Sequence, residues 1–202
     1  MHGPDIPIRD WLDAAARKQP TPGGGSVTAL VAALAAAMGE MTLNYSTGRK
    51  GNSPEAEQVL CQNLAELTRA RQLLLQLMVE DQAAYAELTA TRKLDDSDPD
   101  KPRRVADSLA AAIRVPQAIM AAGVSILGAA ERVAPHANKW LLSDLAVCCE
   151  LALAAVRCGG HNVLVNLSEL APGDRAAIRE EVDQVISRAA ALHHTTTTMI
   201  AP

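Results

Sequence analysis

Two aspartates interrupt helical stripes that are otherwise apolar, and a carboxyl group in such a setting can transfer protons. The neighbours three and four positions away are all apolar: Leu77, Met78, Ala84 and Tyr85 around Asp81, and Trp140, Leu141, Val147 and Cys148 around Asp144. Burying a carboxylate is costly and raises its pKa toward the range useful for acid–base chemistry. The alternative for each aspartate is structural, either as a cap or as the partner of a buried arginine.

Two asparagines form a second polar feature within an apolar stretch. Asn162 and Asn166 are four residues apart, so they share one face of a helix, and the residues between and after them are apolar. Buried amides must find hydrogen-bond partners. The pair therefore either holds a polar ligand or bridges two helices.

A run of three glycines precedes an alanine-rich segment. Residues 21–26 read Thr-Pro-Gly-Gly-Gly-Ser, and residues 27–41 are apolar and free of proline. Such a run is expected where another group approaches the backbone closely or where φ is positive. Ser26 is predicted to cap a helix that starts at Val27, and the N-terminus of that helix would attract an anion. Neither a Walker loop nor a dinucleotide fingerprint is present, and a tight turn between two packed helices is the alternative.

The elements that must position these residues are predicted to be helices. Of the 202 residues, 49% are hydrophobic and only 2% aromatic, and no segment alternates with period two. This pattern predicts an all-α fold, a single-domain helical bundle over residues 1–202 with six to eight helices. Ser53 and Pro54 predict the start of a long helix that ends near Arg92. Pro116 is predicted to break or kink one helix, and Gly159-Gly160 to interrupt another.

Composition excludes several classes of protein. A net charge of −4 provides no basic surface for nucleic acid. Residues 27–43 come nearest to a membrane span, but Glu40 and the polar flanks favour a buried helix, and no signal peptide is visible. We therefore expect a cytoplasmic protein with neither a nucleic-acid nor a membrane partner. The cysteines are predicted to be reduced core residues: Cys61, Cys148, Cys149 and Cys158. The His193-His194 pair lacks spaced partners, so no metal site is predicted.

Several short motifs, in order, resemble one family. They are Pro-Gly-Gly-Gly-Ser at 22–26, Gly-Arg-Lys at 48–50, Glu-Asp-Gln-Ala-Ala-Tyr at 80–85, Val-Pro at 115–116, Ser-Asp-Leu at 143–145 and Asn-Val-Leu-Val-Asn-Leu at 162–167. The chain resembles the cyclodeaminase/cyclohydrolase family over nearly its whole length. This family comprises the C-terminal half of formiminotransferase-cyclodeaminase and the stand-alone methenyltetrahydrofolate cyclohydrolases.

The resemblance implies an all-helical homodimer that binds folate in a cleft at or near the subunit interface. It also implies chemistry on a one-carbon unit carried by N5 and N10 of tetrahydrofolate. The favoured reaction converts 5-formiminotetrahydrofolate to 5,10-methenyltetrahydrofolate with release of ammonia. The alternatives are a 5,10-methenyltetrahydrofolate cyclohydrolase and a non-catalytic helical dimer that binds folate or another metabolite. No metal or redox cofactor is expected, because the oxidation level of the carbon does not change.

The same resemblance suggests a role for each candidate residue. Asp81 is the expected catalytic acid–base group. The other candidates are expected to bind substrate: Gly23, Gly24, Gly25 and Ser26 in the glycine loop, Asp144, Asn162 and Asn166 around the pterin or a water, and Arg49 and Lys50 at the glutamyl or polyglutamyl tail. Glu40 and Asn44 depart from the small or apolar residues expected in the first buried helix, and are predicted to alter the pocket or the substrate.

Overall fold

The computed structural model describes residues 1–201, and those residues form six α-helices and no strand. The helices are α1 (Ile8–Ala16), α2 (Gly24–Asn44), α3 (Pro54–Arg92), α4 (Lys101–Val133), α5 (Leu142–Leu164) and α6 (Pro172–Met199). Three short 3₁₀ turns accompany them, at Ala134–His136, Lys139–Leu141 and Leu167–Glu169. The all-α prediction is confirmed, and the number of helices lies within the expected range.

Helix α2 lies between α3 and α5, and these helices surround a shared apolar core with α4 and α6. Alanines at positions 29, 32, 35 and 36 of α2 are completely buried, and such small side chains allow neighbouring helices to approach closely. Hydrogen bonds at both ends show that α2 and α5 are antiparallel: Asn162 bonds Thr28, and the backbone N–H of Asn138 donates to Ser46. The glycine end of α2 therefore lies beside the C-terminal end of α5.

One predicted helix start is confirmed and another is wrong. Helix α3 begins at Pro54, and the Ser53 hydroxyl accepts a hydrogen bond from the backbone N–H of Ala56 (3.2 Å). Helix α2 begins at Gly24, three residues earlier than predicted, with Gly23 as its N-cap. Ser26 lies inside the first turn, and its hydroxyl bonds a side chain of α3 instead of capping the helix.

Neither helix is broken at the predicted position, and contacts from distant residues explain both. Helix α4 continues through Pro116, and the Ala112 carbonyl that this proline leaves without an N–H partner accepts a hydrogen bond from Asn166 Nδ2 (3.2 Å). Helix α5 continues through Gly159, where a Cβ atom would lie 2.5 Å from Met120 Cγ. Gly159 therefore allows α4 to pack closely against α5.

Two helices have the length and hydropathy of a membrane span, α2 and α4. In this structure both lie within the bundle, and 56% of the most apolar window of α2 and 44% of that of α4 is buried. The burial of α2 against its neighbours agrees with the prediction of a core helix.

The four cysteines are all free, but they do not share one environment. Cys148 and Cys149 are buried on α5, as predicted, and burial raises the pKa of the Cys149 thiol to about 12. Cys61 and Cys158 are exposed, so the prediction that all four lie in the core is wrong for these two. Both occupy helix positions that face away from the bundle.

Candidate active site

A cavity of about 500 Å³ opens where the N-terminus of α2 meets α3, α4 and the C-terminal end of α5. This volume is within the range of small-molecule sites. Six of the residues predicted from the sequence line it: Gly23, Gly24, Gly25, Asp81, Asn162 and Asn166. The fold thus gathers the glycine loop, one aspartate and both asparagines around one space.

The carboxyl group of Asp81 lies directly against the backbone of Gly25. A Cβ atom on Gly25 would be 1.9 Å from Asp81 Oδ1 and 2.4 Å from Cγ, far inside any real contact. None of the three loop glycines has a positive φ, so close approach is the reason for Gly25. The carboxylate thereby lies at the positive end of the α2 dipole, where an anion was predicted.

Ser26 contributes to this arrangement in a way the sequence did not predict. It is completely buried and is not among the residues that line the cavity, so its predicted contact with substrate stays a prediction. Its hydroxyl donates a hydrogen bond to Asp81 Oδ2 over 2.9 Å. Ser26 therefore orients the carboxyl group of Asp81. Asp81 lines the cavity and is the residue that a ligand would contact.

Burial raises the pKa of Asp81 above the ordinary aspartate value, and hydrogen bonding from Ser26 opposes that shift to a smaller extent. No arginine or lysine pairs with this carboxyl among the ion pairs of residues 1–201. A carboxyl group has room for several hydrogen bonds, and Ser26 is its one partner there. Asp81 is therefore equipped to exchange a proton with a molecule in the cavity.

The two asparagines bridge helices through their nitrogens and leave their oxygens open. Asn162 Nδ2 donates to the Thr28 hydroxyl (3.1 Å), which in turn donates to the Gly24 carbonyl (2.7 Å). Asn166 Nδ2 donates to the carbonyls of Ala112 and Asn162. These partners determine which amide atom is the nitrogen. Neither Oδ1 atom accepts a hydrogen bond within residues 1–201, so each amide both bridges helices and offers an acceptor at the cavity.

Three predicted ligand contacts lie at the other end of the bundle. Arg49 and Lys50 are exposed beyond the C-terminus of α2, a helix about 30 Å long. Asp144 is in the first turn of α5, about 27 Å along the axis from Asn162. None of the three lines the cavity, so the structure does not place them on the same ligand as Asp81 within one chain.

The unexpected polar residues of α2 are also remote from the cavity. Glu40 accepts hydrogen bonds from Arg71 Nε (2.6 Å) and from the Thr68 hydroxyl (3.1 Å), both on α3. It lies about 24 Å along α2 from Gly24. Asn44 is exposed at the end of the helix. Glu40 therefore joins α2 to α3, and the prediction that these residues alter the pocket is not supported.

The cavity also contains residues that were not predicted as site residues, above all Tyr85, Arg92 and Glu169. Tyr85 and Arg92 follow Asp81 by four and eleven residues on α3, so all three share one face of the helix. That spacing was a signal available in the sequence. Glu169 lies in a 3₁₀ turn after α5, where no periodicity points to it.

A second cavity of about 610 Å³ lies between α4 and α6 and is mostly apolar. It shares Glu169 with the first cavity but contains none of the predicted site residues. We therefore assign the chemistry to the cavity around Asp81. Within residues 1–201, no three side chains of His, Cys, Asp or Glu converge as a metal site would require.

Comparison with known proteins supports the resemblance seen in the motifs. The family described as Formiminotransferase-cyclodeaminase matches residues 7–198. A methenyltetrahydrofolate cyclohydrolase of Methylorubrum extorquens is 32% identical over 193 residues, which cover 92% of this chain and 91% of that protein.

Two further proteins are similar at lower identity, and this chain covers different shares of their lengths. A formimidoyltransferase-cyclodeaminase of Gallus gallus is 27% identical over 90% of this chain, which spans only 34% of that longer protein. The crystal structure of a formiminotetrahydrofolate cyclodeaminase from Thermotoga maritima superposes with a TM-score of 0.88 at 24% identity, covering 97% of this chain and 96% of that one. The chain belongs to the formiminotransferase-cyclodeaminase family.

Proposed function

We propose that this protein is a folate one-carbon enzyme of the formiminotetrahydrofolate cyclodeaminase type. The observation that carries the proposal is the position of Asp81, a partly buried carboxyl group with a raised pKa against the glycine loop of a ligand-sized cavity. Both the family and the named relatives support a folate substrate.

The reaction requires one group that first takes and later returns a proton. The formimino group on N5 enters protonated, as C=NH2⁺. N10 of the substrate attacks its carbon, which converts the group to C–NH2, and the N10 proton passes to the Asp81 carboxylate. The resulting aminal then breaks its bond to the exocyclic nitrogen, and Asp81 returns the proton to that nitrogen as ammonia leaves. The products are ammonia and the 5,10-methenyl cation. A raised pKa suits a carboxyl group to both steps near neutral pH.

The cavity offers hydrogen bonds that match a reduced pterin. The free Oδ1 atoms of Asn162 and Asn166 are acceptors, and the pterin ring carries several N–H donors. Backbone N–H groups in the first turn of α2 can meet a ring oxygen. Gly24 leaves space for such an approach, since a Cβ there would lie 3.1 Å from Asn162 Oδ1.

The second candidate is hydrolysis of 5,10-methenyltetrahydrofolate, and two observations favour it. The relative that is 32% identical over most of both chains is a methenyltetrahydrofolate cyclohydrolase. A small cavity of about 60 Å³, large enough for an ordered water, adjoins the site and is lined in part by Asp81, Tyr85 and Asn166. Here Asp81 would activate that water for addition to the methenyl carbon.

Parallel assays of the purified protein with 5-formimino- and 5,10-methenyltetrahydrofolate test both proposals. We expect consumption of the formimino compound with one ammonia released per methenyl group formed, followed by absorbance and an ammonia assay. Faster loss of the methenyl compound, without ammonia, would make the protein a cyclohydrolase. Binding of 5-formyltetrahydrofolate with no turnover of either compound would leave a binding protein and overturn the enzymatic proposal.

We further infer that the protein is a homodimer formed through α2. Val27 and Leu34 of this helix and Tyr45, which directly follows it, form an apolar stripe whose members are 40–62% exposed in a single chain. Leu34 is at the middle of α2, so a two-fold axis there would cover the stripe in both copies. The two α2 helices would then be antiparallel, and this pairing would bring Arg49 and Lys50 of one copy toward the glycine loop of the other.

Light scattering of the purified chain is expected to show twice the 21.3 kDa of one chain. Leu34→Glu places two charges at the proposed axis and is expected to halve that mass. Leu73→Glu is the matched control, because Leu73 is a similarly exposed leucine on α3, outside the stripe. A monomeric parent protein, or equal behaviour of the two variants, would refute this interface.

A further inference from the structure

Arg92 is the one arginine or lysine that lines the cavity around Asp81 in the described part of the chain. It lies on α3 eleven residues after Asp81, which is three helical turns, or about 16 Å, along the same face. Tyr85 lies between them on that face, with its side chain about half exposed. The cavity therefore has an acid–base group at one end and a permanent positive charge at the other.

The charge on Arg92 is only partly engaged. Its Nη2 atom pairs with Glu169 Oε1, and no other side-chain hydrogen bond of Arg92 occurs within residues 1–201. Both side chains are about two-fifths exposed (44% and 41%). Exposed ion pairs of this kind contribute about 0–1 kcal/mol, so an incoming carboxylate would displace Glu169 at little cost. The guanidinium retains enough donors to bind a carboxylate with two hydrogen bonds.

A folate places its charges at the matching distance. Its reactive N5 and N10 atoms are joined by a rigid p-aminobenzoyl group to a glutamate, which carries two carboxylates. With the reactive carbon at Asp81, the p-aminobenzoyl group would run along α3 past Tyr85. The gap that then remains between the glutamyl carboxylates and the backbone of Arg92 is within the reach of the long arginine side chain.

We propose that Arg92 binds a carboxylate of the glutamyl tail, exchanging Glu169 for the substrate. This inference rests on the proposed folate function and adds a specificity determinant to it, because a pterin without the glutamate would not gain the contact. It assigns to a residue of the same chain the role predicted for Arg49 and Lys50.

The test compares the proposed substrate with its pteroate analogue, which lacks glutamate. Arg92→Gln is expected to raise KM for the glutamyl substrate about 10–100-fold, as loss of one charge-assisted contact implies, with little change in kcat. With the pteroate analogue, the same variant is expected to change KM less than about twofold. Glu169→Gln removes the competing carboxylate and is expected to lower KM for the glutamyl substrate only.

Arg104→Gln is the matched control, since Arg104 is equally exposed and pairs with Glu87 outside the cavity. Equal changes in KM for both compounds in Arg92→Gln would show a structural role and overturn the inference, as would no change for either. If the parent protein turns over neither compound, the proposed function fails on its own. The same comparison then uses calorimetric Kd values for 5-formyltetrahydrofolate and 5-formyltetrahydropteroate, with the same two overturning outcomes.

Discussion

Asp81→Asn is expected to lower turnover of the one-carbon folate by about 10²–10⁴-fold, the usual contribution of a general acid–base group. Asparagine has nearly the same shape and can still accept the hydrogen bond from Ser26, but it cannot take up or return the N10 proton. Binding of 5-formyltetrahydrofolate is expected to persist, because the glycine loop and both asparagines are unchanged. Steady-state kinetics and calorimetry measure the two effects separately.

Asp81→Asn is expected to lose turnover without losing stability. Burial raises the pKa of Asp81, so the folded state favours the protonated carboxyl group. The contribution of this group to stability is complete below the unfolded pKa, near 4, and is lost as pH rises through the folded pKa. Asparagine carries no charge to bury, so the variant's melting temperature at neutral pH should equal or exceed that of the parent.

Glu80→Gln is the control for Asp81→Asn, because Glu80 is the adjacent, exposed carboxylate on α3 and does not line the cavity. It should retain parental turnover. Turnover of Asp81→Asn close to that of the parent would remove Asp81 from the mechanism. A loss of turnover accompanied by a lower melting temperature would instead indicate damage to the fold.

Gly25→Ala is expected to reduce turnover by at least about 10²-fold, because displacement of a reacting group by about 1 Å can have that effect. The added methyl group would lie 1.9 Å from Asp81 Oδ1, so the carboxyl group must move away from the α2 terminus. Alanine has a higher helix propensity than glycine, so a weakened α2 would not explain the loss of turnover. Kinetics and a crystal structure of the variant would measure the loss and the displacement.

The neighbouring glycines provide a graded comparison. A Cβ on Gly23 would be 3.6 Å from the Pro20 carbonyl, an ordinary contact, so Gly23→Ala should retain most activity. A Cβ on Gly24 would be 3.1 Å from Asn162 Oδ1, so the activity of Gly24→Ala should lie between those of the other two variants. Because the Gly25 clash acts through Asp81, adding Gly25→Ala to Asp81→Asn should cause little further loss. A large further loss, or an active Gly25→Ala variant, would contradict this account.

Local sequence signals predicted the elements of the bundle well where neighbours in the chain control the outcome. Ser53 and Pro54 start α3 because a cap and a proline act within one turn. The same reasoning predicted breaks at Pro116 and Gly159 that do not occur, since Asn166 and Met120 determine the outcome there. Those residues are more than thirty positions away in the chain, beyond any local pattern.

For the candidate site, too, local signals predicted some features and missed others. Apolar periodicity identified Asp81 as a carboxyl group in a buried stripe, and the glycine run and the paired asparagines stood out by composition alone. The sequence thus determined a helical fold and a short set of polar residues with unusual surroundings. It did not determine which of them meet, and Asp144, an equally prominent aspartate, lies at the far end of the bundle.

Only the tertiary structure decided that Asp81 rests on Gly25, 56 residues away in the chain, and that Ser26 orients it from a buried position. Only the tertiary structure separates Arg49 and Lys50 from the cavity and places Arg92 and Glu169 in it. The physical reason is that helical periodicity specifies which face of a helix is buried, whereas the antiparallel packing of rigid helices specifies which ends coincide. A site built at helix ends is therefore determined by packing.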